Sequence, residues 1–543
     1  MKRQQWFLAG ILILQGVLYF ATYSSVPASD GTRYIHDMEI SHWGYILLPN
    51  HMFYEVLFLA LKKALTILGL SISMLKIMQI ANTILAVLAG FLFFKVLDGA
   101  KLKPVISLAG TFLFVFSFSL WFFANGEIHH QSLFCILLAF YLAGVVFPKQ
   151  PSVALASLIA VLSVIACTLH EEHFLFVFPL SWLLLTYNFR PVFNRFLVIY
   201  WFIFALLASW VFGMVAYFAY QVRSLPDFMN WMYVYHEHAK TGHLSTVHQS
   251  FHWFRLLKGA LMAFNYGAQI IVDWVRYSEI RNNRRVWFYL ILTGWSAVLI
   301  CFLLARVFLD WKILSKSLRR IAVGMLIWTV VYKVIVNGNL FPESPEYHLA
   351  SLAPWLFLVL IGIHLIKQKQ IQEFVVFSLI LSTFSVNLFA GILPARSYGK
   401  MINEFSHFAN VSFLPSDLLL STESTLEDVP NIKCKQLSIK GIFLTSEKTE
   451  GFKWIEKNIA ETLRHKGRVF ICDFIPGKYA LWGINFYNHK SQFSVSDFEN
   501  AFLRLKEKYG FIPFYQYWEK DDSQLYRFDQ THDTLWQVVK RNQ

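Results

Sequence analysis

Long runs without a charged residue recur along this chain, among them Phe196–Val222, Val286–Ala305 and Phe374–Ala395. Each is long enough, or nearly so, to cross a hydrocarbon core of about 30 Å at about 1.5 Å per residue. A membrane β-barrel would show short alternating segments instead. The pattern therefore predicts an all-α polytopic membrane domain. A mean hydropathy of +0.46 and a charged fraction of only 15% agree with that class.

The formal charge of +14 would suggest nucleic acid in a soluble protein. Here Lys and Arg collect where cytoplasmic loops and headgroups want them. The chain has no zinc-finger spacing and no basic helix with base-reading residues, so no nucleic-acid partner is expected. Cys135, Cys167 and Cys301 lie in apolar runs as fillers. Cys434 and Cys472 lie in the polar tail, where spacing alone does not decide a disulfide. The opening MKRQQ and the apolar run after it read as an uncleaved signal-anchor, with Lys2 and Arg3 inside.

Candidate spans cover 6–25, 74–97, 104–124, 128–147, 153–169, 174–189, 195–221, 286–308, 321–337, 349–366 and 373–394, about eleven in all. The run 51–70 carries Lys62 and Lys63, with Phe53, Leu57, Ala60, Ala64 and Ile67 at helical spacing; it predicts a helix lying in the interface. The segment 257–274, with Lys258 and Asp273, is read as not spanning. The basic groups Lys101 and Lys103, Lys149, Arg190 and Arg195, then Lys312, Lys316, Arg319 and Arg320, then Lys367 and Lys369 all fall inside on that reading. Residues 1–395 then form a transmembrane domain with a large first external loop, 26–73. Residues 396–543 form an external domain.

On this topology every histidine before residue 394 except His364 falls at an external end. So do Asp37, Glu39, Glu127, Glu171, Glu172, Glu343 and Glu346. Ionisable groups gathered at one membrane depth suggest a functional site. A wet outer surface with interfacial residues is the bland alternative.

Four outer turns carry the candidates. In "HDMEISHWGYILLPNHMFYE", from His36 to Glu55, a helix would place His36, Glu39 and His42 on one face and Asp37 on another. An acid here would serve as general base for an acceptor hydroxyl or amine, or simply as a helix cap. In "SLWFFANGEIHHQ", Glu127 opens the fourth span with His130 and Gln131 three and four residues on; it would also suit the helix dipole. In "TLHEEHF", His170 and His173 have a spacing that allows a metal but lack the zinc-protease arrangement. "NLFPESPEYHLASLAPW" carries Glu346 and His348, and Lys333 can snorkel to the same side.

The order of these elements resembles the GT-C-fold membrane glycosyltransferases, in particular the bacterial relatives of the protein O-mannosyltransferases. "DME" followed by the 49–90 stretch resembles their first external loop, interface helix and second span. "NHMFY" resembles their "HPPGYPLY" or "NPHHLLY" elements, "FSFSLWFFANGEIHHQSL" their "SFTFW…AEVY" turn, and "TLHEEHFLFVFPLSWLL" the following "HH" or "HQ" turn. The likeness is good over about residues 30–190 and thin to 395.

The resemblance implies a GT-C-like domain and an inverting, metal-independent transfer of sugar from a polyprenyl-phosphate carrier to a protein or glycolipid acceptor. Asp37 is first and Glu39 second as catalytic acid. Arg33, His51, Tyr54, Glu127, His130, His170, His173, Lys333, Glu346, His348 and Arg396 are the expected substrate contacts. The acids here are spaced D-x-E, not the commoner D-x-x-E. Many members have Arg-Tyr before a late span where this chain has Glu346-Tyr347-His348, so His348, Lys333 or Arg396 takes the phosphate. No cofactor is implied, and a divalent metal stays open. The implied setting is a bacterial inner membrane, with membrane lipids around the chain and the tail in the periplasm.

In the tail, "KGIFLTS", "GRVFICDF" and "FIPFYQYW" predict strands, and "EGFKWIEKNIAETLRHK" and "VSDFENAFLRLKEKYG" predict amphipathic helices, hence an α/β domain. Two non-transferase readings remain: a transporter or lipid flippase, and a metal-binding membrane protein using Glu127, His130, His170 and His173.

Overall fold

The computed structural model describes residues 2–24, 27, 31–40, 46–48, 51–187, 194–232, 253–276, 284–337, 345–396, 407–409, 411–421, 434–438, 448–472, 503–516 and 534–540. The chain divides into two compact units, Met1–Tyr23 with Pro27–Leu393, and Ser24–Val26 with Pro394–Gln543.

The first unit is helical. Its order is α1 (Lys2–Ala21), α2 (Gly31–Ile40), α3 (Tyr54–Ile67), α4 (Met74–Gly99), α5 (Pro104–Val115), α6 (Phe118–Phe122), α7 (His129–Tyr141) and α8 (Val153–Leu169). Then come α9 (Val177–Leu185), α10 (Arg195–Tyr220), α11 (Trp253–Phe264), α12 (Gly267–Arg276), α13 (Arg284–Leu309), α14 (Lys316–Val331), α15 (Leu352–His364) and α16 (Lys369–Val386). Among the described residues six helices are long and apolar enough to cross a membrane: Arg3–Ala21, Met74–Gly99, His129–Val146, Arg195–Tyr220, Arg284–Leu309 and Lys369–Arg396. Shorter apolar helices cover Pro104–Val115, Val153–Leu169 and Leu352–His364. The protein is an integral membrane protein.

Local sequence explains where several helices begin. Ser73, Ser152 and Ser315 each accept a hydrogen bond from the backbone N–H three residues on, which starts α4, α8 and α14. Pro104 opens α5, where a missing N–H costs nothing. Helix α4 packs on α7, α7 on α8, and α8 on α10. Helix α13 packs on α15 and α16.

Other features are not local. The predicted span 104–124 breaks at Phe116–Ser117, and 257–274 divides into α11 and α12, 12 and 10 residues long. The Asn387 side chain spans both breaks. Its Nδ2 donates to the Phe116 and Phe264 carbonyls at 2.9 and 2.8 Å, and its Oδ1 accepts from the Tyr266 N–H at 2.8 Å. Asn387 opens a π-helical turn, Asn387–Ile392; similar turns follow α7 (Leu142–Val146) and α14 (Tyr332–Asn337).

One expectation changes. Arg320 is not a free loop charge: it is buried in the first turns of α14, and its guanidinium donates to the Leu183 and Gly144 carbonyls. The second of these lies in a π turn that leaves carbonyls in need of donors. In α3, Tyr54, Glu55 and Phe58 face the protein, while the stripe Leu57, Ala60, Ala64 and Ile67 is exposed. An apolar stripe turned away from the protein is what an interface helix presents to lipid.

The second unit holds a five-stranded sheet of β1 (Leu418–Ser421), β2 (Lys435–Ser438), β3 (Val469–Cys472), β4 (Tyr509–Gln516) and β5 (Thr534–Lys540). The order is β2-β1-β3-β5-β4. The β1 pairs are parallel, and β5 runs antiparallel to β3 and β4. Helix α17 (Lys448–Arg464) supplies Ile455 and Ile459 to a core with Leu418, Leu420, Val469 and Ile471. Cys434 is a buried free thiol. The strand expected at 440–446 lies outside the described residues, as do Asp473 and the histidines of 236–252.

Candidate active site

Helix α2 is set by a close approach of two glycines. A Cβ on Gly31 would lie 2.5 Å from the Gly126 carbonyl oxygen, and Gly126 itself has φ +99°. This contact places α2 beside the turn that carries Glu127. Along α2, Gly31, Tyr34, Asp37 and Met38 are buried, the spacing of one helix face. Tyr34 packs edge-on against His51 and Tyr54, at 5.0 and 5.6 Å between ring centroids. Asp37, on the same face one turn later, is the acid directed inward. The side chains of Arg33, His36 and Glu39 lie outside the described residues, as does His42.

His51 and Glu55 sit one turn apart, with Nδ1 and Oε1 separated by 3.5 Å and both side chains buried. The Phe53 N–H donates to the Thr168 carbonyl at 3.0 Å and ties this segment to the third outer turn. Tyr54 is fully buried and lies within electrostatic range of Glu127 and Glu55.

The second turn is braced by amides. Gln79 donates to Asn125 Oδ1 at 2.6 Å, Asn82 to the Glu127 carbonyl at 2.8 Å, and Gln131 to Asn82 Oδ1 at 2.9 Å. Helix α7 begins at His129, two residues after Glu127, which the sequence predicts to open it. His130 Nε2 bonds the Leu120 carbonyl at 3.0 Å. The neighbouring His129 instead meets His170, with ring centroids 4.9 Å apart.

The third turn departs from helix at His170, whose φ of −159° and ψ of 122° are extended. The chain then enters a 3-10 helix, Glu171–Phe176. An extended residue returns alternate side chains to one side. His170 Nδ1 accordingly lies 3.7 Å from Glu172 Oε1. His173 Nε2 is 3.9 Å from the same oxygen, and its Nδ1 is 2.6 Å from the Tyr332 hydroxyl. Burial pushes the Glu171 carboxyl up to about 7 and the His170 imidazole down to about 4. The Glu172 carboxyl is also raised, by burial first and then by Glu171 and Glu346, with Lys333 opposing.

The fourth turn closes the group. The π turn after α14 carries Lys333, whose Nζ meets His348 Nδ1. The Tyr347 ring lies 6.1 Å from that of His129 and 6.4 Å from that of His170. Ser119 donates to the Pro345 carbonyl at 2.8 Å, which joins this turn to the second. Glu346 and His348 are buried. Arg396 belongs to the second unit and is exposed.

Four stretches spread over more than half the chain thus meet in one cluster of acids, imidazoles and one ammonium. His129, Glu172, Tyr332 and Tyr347 are members that residue spacing did not single out. A histidine pair such as His129-His130 shows that one ring faces inward; the start of the helix decides which.

No family profile matches the sequence, and no curated protein matches it. Solved structures do. The archaeal oligosaccharyltransferase AglB from Archaeoglobus fulgidus, in complex with an inhibitory peptide and a dolichol-phosphate, superposes with a TM-score of 0.50 at 10% identity, over 88% of this chain and 71% of that one. ArnT from Cupriavidus metallidurans, bound to undecaprenyl phosphate, gives 0.48 at 10% identity over 97% of each chain. The arabinofuranosyltransferase AftD from Mycobacteria gives 0.47 at 11% identity, over 99% of this chain and 40% of that one. At the level of AglB the likeness is one of fold: this chain is a membrane protein of the GT-C fold.

Proposed function

We propose that the protein is a membrane glycosyltransferase that moves a sugar from a polyprenyl-phosphate carrier to an acceptor at the outer side of the membrane. One observation carries this reading. A buried acid on α2, Asp37, belongs to the helix that packs on the Glu127 turn, and the joined outer turns also present the Lys333–His348 pair. AglB, which shares the fold, was solved with a dolichol-phosphate, a lipid phosphate of the proposed donor class.

The proposed step is a displacement with inversion. The acceptor hydroxyl or amine gives its proton to the Asp37 carboxylate as its oxygen or nitrogen bonds the sugar's anomeric carbon. The bond from that carbon to the carrier phosphate breaks, and the phosphate leaves with the electron pair. Lys333, His348 and His51 hold the departing phosphate charge. Tyr54, Glu127, Glu346 and His173 line the sugar, and this proton transfer needs no metal. The chain crosses a bacterial inner membrane about eleven times, with the second unit in the periplasm.

The test is turnover by the full-length protein in proteoliposomes supplied with a panel of polyprenyl-phosphate sugars and an outer-surface extract as acceptor. Acceptor-dependent release of free polyprenyl phosphate supports the reading. Donor lipid crossing the bilayer with no release on any donor would overturn it in favour of a flippase.

A further inference from the structure

His129, His170 and Glu172 come from two different outer turns. They offer one ligand atom each, all within 4.8 Å of one another. All three side chains are buried, at 4, 7 and 7% exposure. His129 Nδ1, His170 Nδ1 and both Glu172 carboxylate oxygens are buried without a hydrogen-bond partner. The 3.7 Å between His170 and Glu172 is too long for a hydrogen bond between them. Leaving such groups orphaned costs about 1–3 kcal/mol each, so something between them is needed.

We propose that these three residues bind a transition-metal ion, zinc by preference. The donor set decides the class. Two imidazoles and a carboxylate suit zinc, whereas magnesium and calcium take oxygen ligands. Ligand bonds of about 2.0–2.2 Å in tetrahedral array put neighbouring ligand atoms roughly 3.3 Å apart. The His170–Glu172 separation is close to that already, and the His129 ligand atom lies within 4.8 Å of both. Three protein ligands leave a fourth position open to water or an anionic oxygen. His173 is not among the three whose ligand atoms lie within 4.8 Å of one another; its Nδ1 bonds Tyr332 and its Nε2 lies 3.9 Å from Glu172. His130 is also not one of the three; its Nε2 bonds the Leu120 carbonyl. The site is argued from the placement of these three residues alone. It does not rest on the transferase reading.

The experiment is elemental analysis of the full-length protein purified in detergent without chelator. About one zinc per chain is expected, as for other sites of this donor set. His129→Gln, His170→Gln and Glu172→Gln should each weaken zinc binding about 10–100-fold or more, while His130→Gln keeps the metal. Since a variant in a buried turn can fail to fold, the wild-type protein is also stripped by chelation and titrated with Co²⁺. Visible d–d bands of a four-coordinate nitrogen–oxygen site are expected. Substoichiometric metal in the wild type together with no Co²⁺ bands overturns the proposal and assigns the space to water. Full metal retention in all three variants overturns the ligand set.

Discussion

Asp37 faces the protein because α2 starts at Gly31 and its buried positions recur with helical spacing through Tyr34 and Met38. Asp37→Asn keeps the size and an acceptor oxygen but takes no proton. Transfer is expected to fall about 10²–10⁴-fold with carrier binding retained, measured by turnover and native mass spectrometry. If Asp37→Asn stays active and Glu39→Gln does not, the base has been misassigned. Lys333→Gln removes a charge-assisted contact of roughly 1.5–3 kcal/mol, so the donor KM should rise about 10–100-fold with a smaller change in kcat. In the second unit, Arg468 binds Asp417 by a 2.6 Å bond from Nη2, and the Arg468 and Leu414 amides donate to it at 2.9 and 2.8 Å. Burial alone would raise the Asp417 pKa, but these bonds outweigh it and hold the carboxyl below its usual range. The folded unit then binds fewer protons than the unfolded chain. This contribution to stability is present above the ordinary aspartate value and is lost as pH falls towards the depressed one. Arg468 is 32% exposed, so Asp417→Asn should cost about 1–3 kcal/mol, less than a fully buried pair. Hydrogen exchange over β1 and β3 against pH would check both; an acid response unchanged in the variant would refute the assignment.

Among the elements, the serine-capped starts of α4 and α8 fell at the predicted 74 and 153, because a cap is a local bond, whereas α14 begins at Lys316, five residues before the predicted 321. The breaks at Phe116–Ser117 and Asn265–Tyr266 were not legible, because the groups they free are satisfied by Asn387, far away in sequence. Asn387→Ala would orphan the Phe116 and Phe264 carbonyls and the Tyr266 N–H. At about 1–3 kcal/mol for each buried group left unpaired, a drop of several degrees in Tm is expected in detergent. A Tm unchanged by Asn387→Ala would show that these breaks are held by something else. The run 128–147 illustrates the same limit at the site. Its apolar core was clear, but the helix begins at His129, one residue later, and neighbouring side chains on a helix point about 100° apart. That shift exchanges His130 for His129 in the cluster.

For the whole molecule, the direction of the second unit depends on how many times the first crosses the membrane. On the expected topology, burial of Arg320 still leaves Lys312, Lys316 and Arg319 for that inner loop, so the expected charge alternation does not depend on Arg320. A periplasm-active reporter fused after Ala395 is expected to be active, and activity of only a cytoplasmic reporter would reverse the topology. By itself the sequence determined the membrane class and the approximate positions of the long helices. Those are sums over neighbouring residues, and hydropathy and charge need no partner to be counted. Only the tertiary structure decided that Asp37 faces inward, that His129 and Glu172 join His170, that Arg320 is buried, and that β5 lies between β3 and β4. Each of these depends on helical phase or strand pairing, which is set by contacts between segments distant in the chain.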